Sequence, residues 1–536
     1  MDSPIITVTE GRIKGYRRKN LDEEEFYAFL GIPYAKPPVG DLRFKAPEPV
    51  EKWEHIKDAT KDGPPSYQWD DIENKIVGSE DCLHLCVYTK TLPSEEASLK
   101  PVMVWIHGGG FVFGSNNSTE YGPEYLMLED IVLVSINYRL GFLGFLHFDD
   151  TSLNVYGNAA LKDQQLALKW VQKNIHKFNG DRNNVTIFGE SAGSSSVHYH
   201  VLSPSSKNLF HKAILQSGST FGPLSRSKSQ NVGLQLGQIV DENVKTEKEA
   251  LEVLRKLTGK EVYETQQKFI AKYGRQLKIG PKIEEPNDSA IITALPQDIM
   301  VKGQYNKVPL LFGFNSMEGI LFGIYQQREL KKGLKPDYFN IDRYVHPHME
   351  IGLDDPKREL IKDKIRKFYF TENTVEIANY LMATDCNYIA PVVGIAKLHA
   401  KTQPEPVYLY RMSLDAGLNF LKRSNSGFDH IPGVCHADDL GYLFQMPLES
   451  LNMHRGEKEL KAIKRFVKLW TNFAKHGNPT PKGNDFNLTW NPVNEEEVSY
   501  LDIGEELTIK SNPEPERLKL WKEIFQLSPY TQYYLQ

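Results

Sequence analysis

Cysteine is scarce in this chain. Only Cys82, Cys86, Cys386 and Cys435 occur in 536 residues, too few to staple a fold and without the spacing of a metal site. They read as reduced thiols of a cytosolic protein. An excess of basic charge is missing as well. With 64 Lys and Arg against 69 Asp and Glu the net charge is −5, which argues against nucleic acid and against a polybasic membrane contact. No apolar run reaches the roughly 20 residues of a membrane span, so no integral membrane segment is expected. Met1-Asp2-Ser3-Pro4 has neither the basic start nor the apolar stretch of a signal peptide. Asn-x-Ser/Thr sequons occur at Asn116, Asn117, Asn184, Asn287 and Asn487, but Asn184 opens an apolar strand where a glycan would hardly fit. Linkers, repeats and low-complexity tracts are absent too. What remains, 40% hydrophobic and 25% charged, reads as one α/β domain over residues 1–536 with long insertions.

The most informative stretch is Gly189-Glu190-Ser191-Ala192-Gly193, which follows the apolar run Val185-Thr186-Ile187-Phe188. Serine between two glycines at a strand-to-helix turn has the form of a nucleophile elbow. The turn is so tight that only small residues fit two positions either side of the nucleophile. A second glycine signal lies upstream. Strand Val102 to Ile106 leads into His107-Gly108-Gly109-Gly110-Phe111, where no side chain blocks the backbone N–H groups. Such a loop can aim two donors at a developing oxyanion. A phosphate loop is disfavoured, because no Lys-Ser/Thr pair follows and no helix opens there.

In order, Ile5 to Lys14 alternates as a hairpin, residues 31–38 read as a proline-rich turn, and residues 58–78 as a polar loop. Ile131 to Ile136 is a strand buried on both faces. Asn158 is a plausible N-cap for a helix from Ala159 to Phe178, whose stripe Ala167, Trp170, Val171, Ile175 and Phe178 is core. Ala213 to Gln216, Pro309 to Phe314 and Pro406 to Tyr410 are further strands. Residues 227–278 read as a charged, helical, lid-like insertion. Leu460 to Ala474 is a strongly amphipathic helix ended by Gly477 and Pro479. Strands alternating with helices imply an α/β fold with a large, mostly parallel central sheet and helices on both faces.

A serine nucleophile needs a base, and the base needs a carboxylate to hold its tautomer. Of 15 histidines, His436 stands on a glycine-containing loop after the Pro406 strand, and Glu318 follows the Pro309 strand. The order serine, acid, histidine is that of α/β-hydrolases.

These stretches resemble the type-B carboxylesterase and cholinesterase family over nearly the whole length. The resemblance runs through Gly31-Ile32-Pro33-Tyr34-Ala35, Ser79-Glu80-Asp81-Cys82-Leu83, His107 to Phe111, Asn137-Tyr138-Arg139 and Leu161-Lys162-Asp163-Gln164. It continues through Gly189 to Gly193, Met317-Glu318-Gly319, His436-Ala437-Asp438-Asp439-Leu440 and Trp470-x-x-Phe473. Insect carboxylesterases of the intracellular α-esterase group look most similar.

The resemblance implies an α/β-hydrolase fold, Ser191 as nucleophile, Glu318 as acid and His436 as base. It also implies Gly109, Gly110 and Ala192 as oxyanion hole, no cofactor and no metal, and a small-molecule ester as substrate. Organophosphates are expected to trap Ser191. Arg43 with Glu80, and Arg139 with Asp163, resemble structural ion pairs. Leu224 stands where relatives carry a bulky aromatic in the acyl pocket, and Leu321 and Phe322 are expected to line the same gorge. Glu190 reads as a hydrogen-bonded elbow residue rather than a cation-selecting group. His198-x-His200 and His346-x-His348 read as packing or surface residues, since no third ligand accompanies either pair. Secreted relatives usually pair the Glu-Asp-Cys-Leu cysteine with one upstream, and residues 1–81 contain none. The expected activity is that of a broad carboxylesterase on lipid-derived or xenobiotic esters. A sequestering esterase with little turnover is one alternative. A juvenile hormone or pheromone esterase is another, ranked lower because the elbow reads Gly-Glu-Ser rather than Gly-Gln-Ser.

Overall fold

The computed structural model describes residues 3–70, 73–94, 98–223, 225–227, 230–274, 279–451, 453–494 and 496–536. The chain falls into two compact units. The first comprises residues 1–213 and 224–295, the second residues 214–223 and 296–536.

In the first unit, β1 (Ile5–Thr7) and β2 (Arg12–Lys14) form the expected hairpin, with Ile6 opposite Ile13, and β5 (Ile56–Asp58) adds to β2 in parallel. The larger sheet runs in the order β11-β9-β10-β8-β4-β3. Its strands are β3 (Tyr16–Lys19), β4 (Glu25–Pro33), β8 (His84–Thr89), β9 (Lys100–Ile106), β10 (Val132–Ile136) and β11 (Gly180–Glu190). Strands β9, β10 and β11 are parallel neighbours; β8, β4 and β3 pair antiparallel. Val132 to Ile136 is buried at every position, as expected of a strand covered on both faces.

Two stretches differ from the sequence reading. Gly31 to Pro33 ends β4 instead of forming a turn: Gly31 sits at φ +61° where the pairing with β8 shifts between Phe29 and Ile32, so the glycine marks a bulge. The polar loop of residues 58–78 contains a two-stranded ribbon, β6 (Gln68–Asp70) with β7 (Lys75–Val77). The helix Ala159–Asn174 carries the expected core stripe and closes with a 3-10 turn, Ile175–Phe178. Asn158 does stand at its N-cap, but its side chain caps nothing there. It instead donates to Lys282 O and Glu284 Oε1 and accepts from Lys282 N–H, so tertiary partners displace the cap. The insertion is helical as read: Val232–Val240, Glu247–Lys256 and Gly259–Tyr273 pack on Phe142, Leu143 and Leu146. The second and third of these helices open on capping boxes at Thr246 and Thr258.

In the second unit the order is β16-β15-β14-β13-β12, from β12 (Lys212–Gln216, of which residues 214–216 belong to this unit), β13 (Leu310–Asn315), β14 (Val407–Met412), β15 (Ser499–Ile503) and β16 (Leu507–Ser511). β13, β14 and β15 run parallel, and β16 turns back. The amphipathic helix Glu457–His476 ends on Gly477 at φ +69°, the left-handed cap its glycine suggested. Trp470 and Phe466 stack on each other and meet Tyr410 of β14 edge-on. No described helix is long and apolar enough to cross a membrane.

Candidate active site

β9 and β11 pair with Ile106 opposite Gly189, so the glycine loop and the serine turn leave neighbouring strand ends. At the turn Ser191 takes φ 56° and ψ −118°, a conformation costing about 1–3 kcal/mol for a residue with a β-carbon. Its flanking glycines are required by space. A β-carbon on Gly193 would lie 2.0 Å from Ile106 O, and one on Gly189 would lie 2.6 Å from the same oxygen. The helix Ala192–Leu202 starts directly after the serine, so its positive end faces whatever negative charge forms there.

Gly109 and Gly110 adopt φ +100° and +58°, and a β-carbon on Gly109 would meet Phe113 O at 2.0 Å. No described residue accepts a hydrogen bond from either amide. Gly108 brings the loop against the elbow: its β-carbon would lie 2.8 Å from Glu190 Oε2 and 3.3 Å from Ser191 Cβ. Glu190 is buried, and its charge helps burial raise the hydroxyl pKa values of Tyr138 and Tyr121. Tyr138, of the Asn137-Tyr138-Arg139 stretch, donates to His107 O at 2.7 Å and stacks on the His107 ring at 4.3 Å. Burial lowers the His107 pKa to about 4, so this ring is neutral and structural.

The other stretches of the resemblance make buried polar contacts. Arg139 grips Asp163 through two bonds of 2.8 and 2.6 Å, and Arg43 grips Glu80 at 2.6 and 2.7 Å. Gln164 donates to Ser196 Oγ and meets His200 Nε2 at 3.0 Å, while His200 Nδ1 meets Ser206 Oγ. His200 thus ties the helix behind Ser191 to the helix carrying Gln164. His346 and His348 are buried beside Phe221.

In the second unit, Glu318 follows β13 and is fully buried. Its Oε1 accepts from Asn315 N–H at 2.6 Å and from Ser217 Oγ at 2.7 Å; its Oε2 lies 2.6 Å from His436 Nδ1. His436 rides on a loop fastened from both sides. Met317 N–H donates to Val434 O, Val434 N–H to Ser316 Oγ, and Asn315 Nδ2 to Cys435 O. Asp439 accepts from Gln216, Tyr410 and Asn315, and Trp470 donates to Gln216, which joins the Trp470 stretch to the histidine loop. Tyr388, on the π-helical turn Asp385–Ile389, lies over His436 at 4.5 Å. Such turns recur at functional sites.

Of the expected pocket residues, Phe322 is half-buried and 6.5 Å from Tyr388, whereas Leu321 packs into a cluster with Met317, Ile320 and Cys435. Leu224 lies outside the described residues. Sequence reasoning missed Ser217, Asn315 and Tyr388; only the position of Asn315 at a strand end hinted at a role.

The model of the carboxylesterase family matches residues 2–521. The chain belongs to the carboxylesterase family. This carboxylesterase is 33% identical to the juvenile hormone esterase of Heliothis virescens over 95% of its own length and 91% of that protein. It is 31% identical to Esterase B1 of Culex pipiens, with 98% of both chains covered. Among solved structures, the juvenile hormone esterase of Manduca sexta with OTFP covalently attached matches with a TM-score of 0.86. That match is 28% identical and covers 98% of this chain and 100% of that one. The fold is therefore the α/β-hydrolase fold that the resemblance implied.

Proposed function

We propose that this carboxylesterase cleaves small apolar carboxylic esters through a Ser191–His436–Glu318 triad, its two compact units working as one domain. His436 Nε2 takes the Ser191 Oγ proton while the oxygen attacks the ester carbonyl carbon. The N–H groups of Gly109, Gly110 and Ala192 receive the resulting oxyanion. As the intermediate collapses, the alcohol leaves with the proton from His436. A water then loses its proton to His436, attacks the acyl-enzyme and releases the acid, restoring Ser191. Glu318 holds His436 in the tautomer with Nδ1–H and stabilises the imidazolium. The required side chains all belong to the protein, and the scheme uses no cofactor.

The observation that carries this reading is the strained Ser191 set against two glycine amides that no described residue engages. Breadth of substrate is supported by relatives with different printed activities at similar identity. A juvenile hormone esterase of Tribolium castaneum is 34% identical and the mouse pyrethroid hydrolase Ces2a 33%. The same relatives favour juvenile hormone as a second substrate to assay. The four described cysteines are free and buried, which supports a reducing compartment. The test is steady-state turnover of a nitrophenyl or naphthyl ester, with Ser191→Ala as control. Sustained, serine-dependent turnover is expected. A burst of one equivalent followed by almost none would mean sequestration, and activity retained in Ser191→Ala would remove the mechanism.

A further inference from the structure

The glycine loop must hold two amides on a future oxyanion with no side chain of its own to brace it. Its turn closes from within, Val112 and Phe113 N–H donating to Gly109 O at 3.0 and 3.1 Å. Beyond the turn stands Gly114, at φ +108°, where a β-carbon would lie 2.5 Å from His107 Nδ1. Glycine is forced there by shape, and it is also the residue with the greatest backbone freedom. One side chain removes that freedom. Gly114 N–H donates to Gln68 Oε1 at 2.7 Å, and Gln68 Nε2 donates back to Gly114 O at 2.9 Å. This is the pair of bonds a neighbouring strand would make, supplied by a carboxamide 46 positions away.

The remaining Nε2 proton goes to Ser66 O at 3.2 Å, so both protons of the buried amide and its oxygen are engaged. Its mount is fixed as well. Gln68 lies on β6, paired opposite Val77 of β7. Leu140 N–H donates to Ser66 Oγ at 3.1 Å and Asn137 Nδ2 to Pro64 O at 3.2 Å. The Phe113 carbonyl, next to the gripped residue, packs where a Gly109 side chain would be. Rotation at Gly114 therefore displaces Gly109 and its amide.

We propose that Gln68 is a positioning residue for the oxyanion hole, holding the Gly109 and Gly110 amides in register through its bracket on Gly114. The inference rests on the reading of those two glycines as oxyanion donors. Gln68 acts through the loop and touches no reacting atom.

The test compares the wild-type chain with Gln68→Met, which keeps length and volume but can form neither bond. Active sites are counted by stoichiometric titration with a fluorophosphonate, so misfolded protein drops out of the comparison. Per titrated site, kcat for a nitrophenyl ester should fall about 10-fold, a fraction of the 10²–10³ lost when an oxyanion donor is removed. KM should stay within about twofold. The affinity for a trifluoromethyl ketone, whose serine adduct carries an oxyanion, should weaken by the same factor as kcat/KM. Wild-type kcat and ketone affinity per site would overturn the proposal, as would a loss confined to KM. If Gln68→Met yields no titratable sites, Gln68→Glu, which keeps the acceptor for Gly114 N–H, takes its place under the same criteria. Failure of the parent reading looks different: the wild type itself would lack turnover that depends on Ser191.

Discussion

Replacing Glu318 by glutamine exchanges one carboxylate oxygen for an NH2 group, and its surroundings dictate which way the amide turns. Two donors, Asn315 N–H at 2.6 Å and Ser217 Oγ–H at 2.7 Å, converge on Oε1. The amide oxygen must stay there, since an NH2 group in its place would face two donors in a buried site. The nitrogen is then left pointing at His436 Nδ1, where the carboxylate now sits at 2.6 Å. An N–H aimed at Nδ1 makes that atom an acceptor and moves the ring proton to Nε2. In that tautomer His436 cannot take a proton from Ser191. A triad whose acid becomes an amide loses about 10⁴-fold in kcat for this reason, or about 5.5 kcal/mol of transition-state stabilisation. Volume and two of three hydrogen bonds are kept, so the fold should lose far less than the reaction. The assay is kcat for a nitrophenyl ester per titrated active site, with the urea midpoint measured on the same preparation. A loss below about tenfold, with the midpoint unchanged, would refute the tautomer argument.

Gly193→Ala should abolish activity and sharply lower the yield of folded protein, because the new methyl would lie 2.0 Å from Ile106 O; a soluble, active variant would contradict this. Buried histidines make stability acid-sensitive. Burial holds the His107 pKa at about 4 and those of His200 and His399 at about 3, below the ordinary 6.5. The unfolded chain therefore binds these protons first, so their contribution is whole above pH 6.5 and is lost as pH falls towards 4 and 3. His399→Phe should flatten the fall of unfolding free energy between pH 6 and 5 by ~1.4 kcal/mol per pH unit, read from urea midpoints; an unchanged slope counts against it. Ser66 contacts the Cys82 thiol, whose pKa burial lifts to about 12. Ser66→Cys should form a disulfide with Cys82, visible as a shift on reduction, and add about 3 kcal/mol for a loop of this size; five thiols rather than three, titrated after unfolding of the air-oxidised variant, would exclude it. Leu224→Trp should narrow acyl tolerance, so an unchanged rank order of short and branched acyl esters would count against Leu224 as a pocket residue.

The candidate site was legible where it depends on local shape. Glycine at 189 and 193 is demanded by Ile106 O, and glycine at 109 by Phe113 O; such demands leave a fixed mark on the sequence. The strands β9, β10 and β11 were legible from their apolar runs. Bulges were not. Gly31 in β4 carries the same signal as a turn, and only pairing with β8 distinguishes the two. The β6–β7 ribbon was hidden because its strands are only three residues long, too short for an alternation to show against the polar residues between them. Asn158 shows the same limit: its place at the N-cap followed from residue type, while its hydrogen bonds were decided by Lys282 and Glu284, far along the chain. Ser217 and Gln68 could not be found from spacing, because a side chain that acts on a distant backbone leaves no local pattern.

Everything proposed for the reaction depends on activation of Ser191 by His436 to form a covalent acyl-enzyme. The most direct measurement is the rate at which a fluorophosphonate labels the enzyme, with the adduct located by peptide mass, in wild type and in His436→Gln. One adduct per chain is expected, on Ser191, formed at least about 10³-fold more slowly once His436 is replaced. Equal labelling rates in the two proteins, or an adduct on another residue, would contradict it.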